Sequence, residues 1–156
     1  MKYFQKKCVY QGIKFDSEAE RDRYIELKAM EKKGKIRDLE LQKFYELLPK
    51  QTILVPKQLK TKTKWVERVD EQAITYHADF YYYDAERKVW VVEEVKSSET
   101  AKARDYPLRR KLMKVLLRKM NEAEYGKKVY IFNEIIVDNV RLPRRNRKAT
   151  HKRRKI

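Results

Sequence analysis

A single cysteine, Cys8, stands in this chain, so no internal disulfide can form and no cysteine pair offers metal-knuckle spacing. Histidine is scarce too: the two present, His77 and His151, lie far apart and give a weak basis for zinc. No run approaches the roughly 20 apolar residues of a membrane span. The opening MKYFQKKC lacks the apolar core of a signal peptide. These absences point to an intracellular, cytoplasmic protein. Acid is also in short supply, with 40 Lys and Arg against 23 Asp and Glu, which leaves a net charge of +17.

The basic excess is unevenly placed. Residues 141–156 hold nine Lys or Arg and no acid, while residues 1–140 carry 31 basic residues against 23 acidic. Both parts therefore favour a polyanion, and nucleic acid leads because each neutralised phosphate releases counterions. A membrane surface fits less well, since the tail has no bulky apolar residues to insert into lipid. With 156 residues the chain is long enough for one cored domain and too short for two of ordinary size. The expected division is a domain over residues 1–140 and a basic tail over 141–156, too charged to collapse unless bound.

Residues 9–15 read as a short strand turning at Gly12. Ser17-Glu-Ala-Glu20 matches a capping box, which predicts a helix from Ser17 to about Lys33, stopped by Gly34, with Ala19, Tyr24, Leu27 and Met30 on its apolar side. Residues 36–48 read as strand or extended loop, and KQLKTKTK over 57–64 as an exposed basic loop. Strand-like runs at 65–69, 74–83 and 89–95, separated by short turns, suggest an antiparallel meander. After a polar stretch over 97–104, in which Lys102 and Arg104 suggest a mobile lid, Pro107 opens a second helix. Its stripe is Leu108, Leu112, Val115, Leu116 and Met120, and it ends before Gly126. A last, central strand is placed at 128–132. The class is α/β: a mixed β-sheet, an antiparallel meander plus a later strand, flanked by helices.

Strand alternation puts Tyr76, Ala78, Phe80 and Tyr82 on one face, with His77, Asp79, Tyr81 and Tyr83 on the other. In the next strand Glu94 and Lys96 share a face with Val92, while Val91, Glu93 and Val95 face away. Asp79 and Glu94 thus fall side by side on neighbouring strands. At about 4 Å their repulsion is of order 4 kcal/mol at an effective dielectric near 20, so a cation belongs between them. Two carboxylates suit Mg²⁺, which keeps several waters of its own; Mn²⁺ is a substitute. A nearby lysine can orient a water and offset charge growing on a phosphate. That combination is what metal-dependent phosphodiester hydrolysis requires.

Each piece has a plainer alternative. Glu20 is accounted for as the capping partner of Ser17, and Glu18 competes with it for the site. His77 shares the face of Asp79 but also suits a surface or core position. The FYYY run over 80–83 offers base-stacking rings or simply core. Arg110, Lys111, Lys114 and Arg118 can track a phosphate backbone or merely solvate a helix face. Arg144, Arg145, Arg147, Lys148, Lys152, Arg153 and Arg154 make the tail a non-specific anchor.

Ser17-x-x-Glu20 at a helix start, Ala78-Asp79 in a strand and Glu94-Val95-Lys96 in the next resemble the PD-(D/E)XK nuclease superfamily, with its restriction-endonuclease-like fold. The stretches GIKFDSEAE, RDLELQ, YHADF and VVEEVKS further resemble a family of small phage and prophage proteins assigned to that superfamily, over about residues 10–136. The resemblance implies Asp79 and Glu94 as metal ligands, Glu20 as a supporting ligand and Lys96 as the water-orienting residue. It also implies a final strand that continues the central sheet. The motif's proline is replaced by Ala78. The expectation is a Mg²⁺-dependent DNA endonuclease, structure-selective for junctions, flaps or branched DNA, in phage or prophage replication or recombination, a homodimer being one arrangement that cuts two strands. The alternative is a non-catalytic basic protein that binds DNA or RNA.

Deleting the residues after Leu142 is expected to weaken DNA binding and flatten its salt dependence, read as the slope of log K against log salt. Unchanged affinity at matched salt would show that the anchor lies elsewhere.

Overall fold

The structure, a computed structural model, describes residues 7–138. The seven tail cations from Arg144 to Arg154 named above lie outside the described residues.

The chain enters through a hairpin, β1 (Cys8–Tyr10) and β2 (Ile13–Phe15). Its two-residue turn, Gln11-Gly12, has positive φ at both positions (49° and 79°), the conformation that matches strand twist in tight hairpins. Helix α1 (Glu18–Lys32) follows, capped as expected: Ser17 Oγ accepts the Glu20 N–H at 3.1 Å. Gly34 leaves it at φ 71°. Tyr24 and Leu27 are its buried apolar residues.

Residues 36–48 are one long strand, β3 (Ile36–Leu48), antiparallel to β6 (Ile74–Asp84). The central sheet has the order β3-β6-β7-β8, where β7 is Val89–Ser97 and β8 is Tyr130–Val137. β7 pairs antiparallel with β6 and parallel with β8. A parallel pair needs a crossover, and α2 (Asp105–Ala123) supplies it. Asn121 of α2 fastens it to the sheet, its side chain accepting the Tyr130 N–H at 2.7 Å and donating to the Tyr130 carbonyl at 3.0 Å.

Val91 and Val92 are adjacent on β7 and fully buried, so they point to opposite faces. Val91 packs with Phe15, Tyr24, Leu27, Phe80 and Tyr82 beneath α1. Val92 packs with Tyr76, Ala78, Tyr81, Met113 and Leu117 beneath α2. The result is a sheet between two helices. Each fully buried aliphatic side chain in these layers contributes roughly 1.5–3 kcal/mol.

Several expectations change. The run 65–69 does not pair with β6. It belongs to β5 (Thr63–Glu71), which pairs only with β4 (Gln51–Gln58), and β3 takes its place in the sheet. A nearby partner costs little loop-closure entropy, and β3 brings the buried side chains Ile36 and Tyr45. The basic stretch 57–64 is therefore the end of a ribbon, its turn closed by Leu59 N–H to Lys62 carbonyl at 2.8 Å, and not a loop. The last strand runs from Tyr130 to Val137 and lies at the sheet edge, leaving β6 and β7 central. Helix α2 buries Tyr106, Met113 and Leu117, while Leu108 and Val115 are exposed. Of the FYYY residues, Phe80, Tyr81 and Tyr82 are buried in the core, while Tyr83 is half-buried with Arg37 over its ring. Finally, Tyr76 and Ala78 lie in one core cluster with Tyr81, whereas Phe80 and Tyr82 lie in the other. Strict alternation fails between Ala78 and Phe80, where the pairing with β7 ends.

Glu93 is fully buried beneath α1. Arg23 grips it with two bonds, Nε to Oε1 at 2.7 Å and Nη2 to Oε2 at 2.9 Å, and the Tyr82 hydroxyl and Asn133 amide each donate at 2.8 Å. Removing Arg23 strands that charge. Arg23→Met is expected to cost about 3 kcal/mol by urea denaturation, and adding Glu93→Leu to recover most of it. A single variant as stable as the parent would show that the pair does not hold α1 to the sheet.

Candidate active site

The β6–β7 ladder stops at the pair Phe80 and Glu93. One residue further, the Asp79 carboxylate takes over from the backbone: Oδ2 accepts the Val95 N–H at 2.8 Å. Its other oxygen, Oδ1, accepts from Gln42 Nε2 at 3.3 Å. Gln42 has φ 50°, a left-handed backbone costly for a side chain with a Cβ and typical of functional positions. The carboxylate is thus fixed from two sides, with Asp79 only 6 % exposed.

Glu94 lies across the opening, buried at 3 % exposure. Its Oε2 accepts the Tyr76 hydroxyl at 2.7 Å, and its Oε1 is ion-paired with Lys96. The Lys96 ammonium also sits 5.5 Å from the centre of the Tyr106 ring. From α1, buried Glu20 completes the group, accepting the Asp16 N–H at 3.3 Å and the Ser17 hydroxyl at 3.1 Å. Capping and cleft lining are the same carboxylate's two tasks.

Glu20, Asp79, Glu94 and Lys96 line one open cleft of about 620 Å³. Tyr76, Gln42, Tyr106 and Arg109 share its walls, with His77 on the rim. Burial, then the charges of Glu94 and Glu20, push the Asp79 carboxyl up to about 7. Burial raises Glu20 as well, partly countered by its bond from Ser17. Burial works against the Lys96 ammonium, but Glu94 outweighs it and the lysine is held protonated, with Asp79 and Glu20 adding to the effect. The cleft lining carries five acids, Asp16, Glu20, Asp79, Glu94 and Asp105, against two cations, Lys96 and Arg109, an excess of acid in a strongly basic protein.

All four core positions expected from the sequence come together here. Glu18 is exposed and does not line the cleft. His77 is exposed, its ring edge-on to Phe44 at 5.3 Å. Arg110 is ion-paired with Glu134 at 3.1 Å, and Lys114 lies 5.7 Å from the Phe132 ring centre. Lys111, Lys114 and Arg118 are exposed on α2 outside the cleft. Sequence reading missed Gln42, Tyr76, Tyr106 and Arg109. Gln42 had a signal, as the last residue of RDLELQ. Tyr76 was assigned to the opposite face by an alternation that the strand breaks.

The donors are all hard carboxylate oxygens, which suits a divalent cation of the Mg²⁺ kind. Among the described residues no group of three or more His, Cys, Asp or Glu is drawn close enough to hold a metal ion. The described residues thus form no closed protein cage, and an ion here would draw on Asp79 and Glu94, with Glu20 beside them and water in the remaining positions.

Residues 1–131 match the family described as "Protein of unknown function (DUF1064)". The chain belongs to the DUF1064 family. The match runs from the entry hairpin into β8, so the DUF1064 region contains the whole cleft. No curated protein and no solved structure matches the chain. No helix among the described residues is long and apolar enough to cross a membrane.

A carboxyl that titrates near 7 when folded and near 4 when unfolded binds an extra proton in the folded state between those values. Stability of the metal-free protein should thus fall as pH rises through that window. Asp79→Asn, which keeps an oxygen for the Val95 N–H, is expected to melt higher than the parent at pH 7.5, by roughly 4 °C per kcal/mol gained, and no higher at pH 4. Identical melting at both pH values would mean that the cleft does not strain this carboxylate.

Proposed function

We propose that this protein is a Mg²⁺-dependent DNA endonuclease on a restriction-endonuclease-like, PD-(D/E)XK scaffold, hydrolysing phosphodiester bonds in branched or duplex DNA. The observation that carries the reading is the convergence of Glu20, Asp79, Glu94 and Lys96 on one cleft of a chain with a net charge of +17. A phosphate cannot approach three carboxylates unaided, because each like-charge pair costs kilocalories at contact distance. A protein that only bound DNA would gain nothing from acids where phosphates must dock.

In this reading Asp79 and Glu94 hold the ion, with Glu20 supporting from α1. Mg²⁺, when bound, would polarise a phosphoryl oxygen and acidify a water; Mn²⁺ can serve likewise. The rest falls to the chain's own groups. Gln42, the Val95 N–H and the Tyr76 hydroxyl fix the carboxylate orientations, so little reorganisation is needed when an ion enters. Lys96, whose ammonium is ion-paired with Glu94 Oε1, would turn to face water and the scissile phosphate once Glu94 served as a ligand. The setting this implies is a bacterial cytoplasm, in phage or prophage DNA replication or recombination. A homodimer would let two clefts address two strands.

One observation favours the alternative, a non-catalytic DNA- or RNA-binding protein: both Glu94 oxygens already have protein partners, and no three-ligand group forms among the described residues. The two readings separate cleanly. Incubated with supercoiled, linear and branched DNA in Mg²⁺, the parent should cut, and chelator should stop it. Asp79→Ala and Lys96→Ala should each lose about 100-fold or more in rate while retaining DNA binding. Equal activity in parent and variants sinks the nuclease. Salt-sensitive binding without metal-dependent cutting selects the binder, and binding stronger for RNA than for branched DNA makes it an RNA-associated one.

A further inference from the structure

The fold leaves one segment bare. β4 and β5 pair only with each other, and along both strands every side chain is exposed except the half-buried opposed pair Val55 and Val66. A lone two-stranded ribbon is marginal in water, yet this one holds Leu54 and Trp65 in solvent at 64 % and 63 % exposure. Such a surface is built to be covered.

Its charge says by what. Lys57, Lys60, Lys62 and Lys64 crowd the far end, with no acid anywhere between residues 51 and 66. Lys57 and Lys64 are directly opposite each other in the ladder, an arrangement that costs stability unless an anion lies against it. Among the described residues no ion pair neutralises any of these four lysines. The ribbon's own acids, Glu67, Asp70 and Glu71, keep toward its root. By register, Lys57, Lys64 and Arg68 share one face, and Leu54, Pro56 and Trp65 the other.

The root adjoins the cleft. β5 ends at Glu71, and Thr75, Tyr76 and His77 of the next strand line the cleft wall. Eight extended residues reach about 26 Å, which matches about eight base pairs of duplex at 3.4 Å per step.

We infer that the β4–β5 ribbon is a duplex-DNA-binding arm: its four lysines seat on phosphates flanking the major groove, which admits a two-stranded ribbon. Trp65 supplies an aromatic face for an unstacked base where the duplex is branched or open. A second copy of the chain is the poorer occupant, because it would bring another strongly cationic body against the same lysines. The arm deepens the proposed function, and rests on it only in assigning the cleft to the same DNA molecule.

The test uses the full chain and a labelled duplex longer than the arm, with binding followed by fluorescence anisotropy in chelator across a salt series. Replacing all four lysines by serine should lower affinity about 10-fold or more near 0.1 M salt and reduce the salt slope by about 3.6, at about 0.9 per lost phosphate contact. A melting curve superposed on the parent's would show the body intact, since the ribbon lies outside both cores. Trp65→Ala should weaken binding to branched DNA several-fold while leaving the slope alone. Unchanged affinity and slope in the four-lysine variant overturns the arm. So does a Trp65→Ala variant that turns a dimer into a monomer on sedimentation with DNA affinity intact, which would make a second copy the occupant. Cleavage run in parallel keeps the two readings apart: arm-dependent binding by a parent that never cuts supports the arm and removes the nuclease.

Discussion

One hydrogen bond organises this molecule's cleft: the Asp79 carboxylate accepting the Val95 N–H where a backbone carbonyl would otherwise continue the ladder. Pairing between β6 and β7 stops one residue earlier, at Phe80 and Glu93. A backbone donor left unpaired inside the protein is costly, so the carboxylate that satisfies it is held in place by the fold itself. The substitution also lets the strands part, giving Glu94, Lys96 and the start of α1 a space to face. The break in side-chain alternation along β6 has the same origin. Beyond the last pair with β7, β6 is held by β3 alone, and the Tyr76 hydroxyl reaches Glu94.

Two adjacent glutamates show what a strand's pleat can do. Glu93 and Glu94 differ in sequence by one position and in fate completely. Glu93 points beneath α1, where Arg23, Tyr82 and Asn133 meet its oxygens and make it a tie between helix and sheet. Glu94 points beneath α2 into the cleft, where other acids crowd it. Its single cation, Lys96, is shared with Asp79 and Glu20. One carboxylate is fully compensated and structural. The other belongs to a group with more negative charge than its partners balance, and such an excess is the physical signature of a place meant for something positive.

Charge is thus segregated over the molecule. Negative groups lie in the cleft, and positive ones cover α2 and the far end of the ribbon. A polyanion would be drawn to the body at long range and repelled only at the cleft, unless a cation were there to receive it. The arrangement opposes uniform docking of a polyanion and, in the proposed function, favours contact at a distance from the acids.

The α/β class, the cap at Ser17 and the end of α1 at Gly34 were legible in the residues. So was the grouping of Asp79 with Glu94 and Lys96, because these features follow from local rules: side-chain capping, glycine at positive φ, and strand periodicity. The β6–β7 pairing was legible from its short connection, but the other strand partnerships were not. The run at 65–69 alternates as well as any sheet strand, and only the competition between β3 and β5 for the edge of β6 sent it into a ribbon. The position of β8 at the edge and the choice of Met113 and Leu117 as the buried side of α2 are decisions of packing in the same way. Gln42 and Tyr76 reach the cleft through a left-handed residue and a broken alternation, and neither has a period to read. By itself the sequence determined which groups could do chemistry and which elements carry them, since those depend on residues a few positions apart. Tertiary structure alone decided which strands join β6 and β7 in the sheet and which carboxylate stays uncompensated, because both depend on long-range burial that no local pattern encodes.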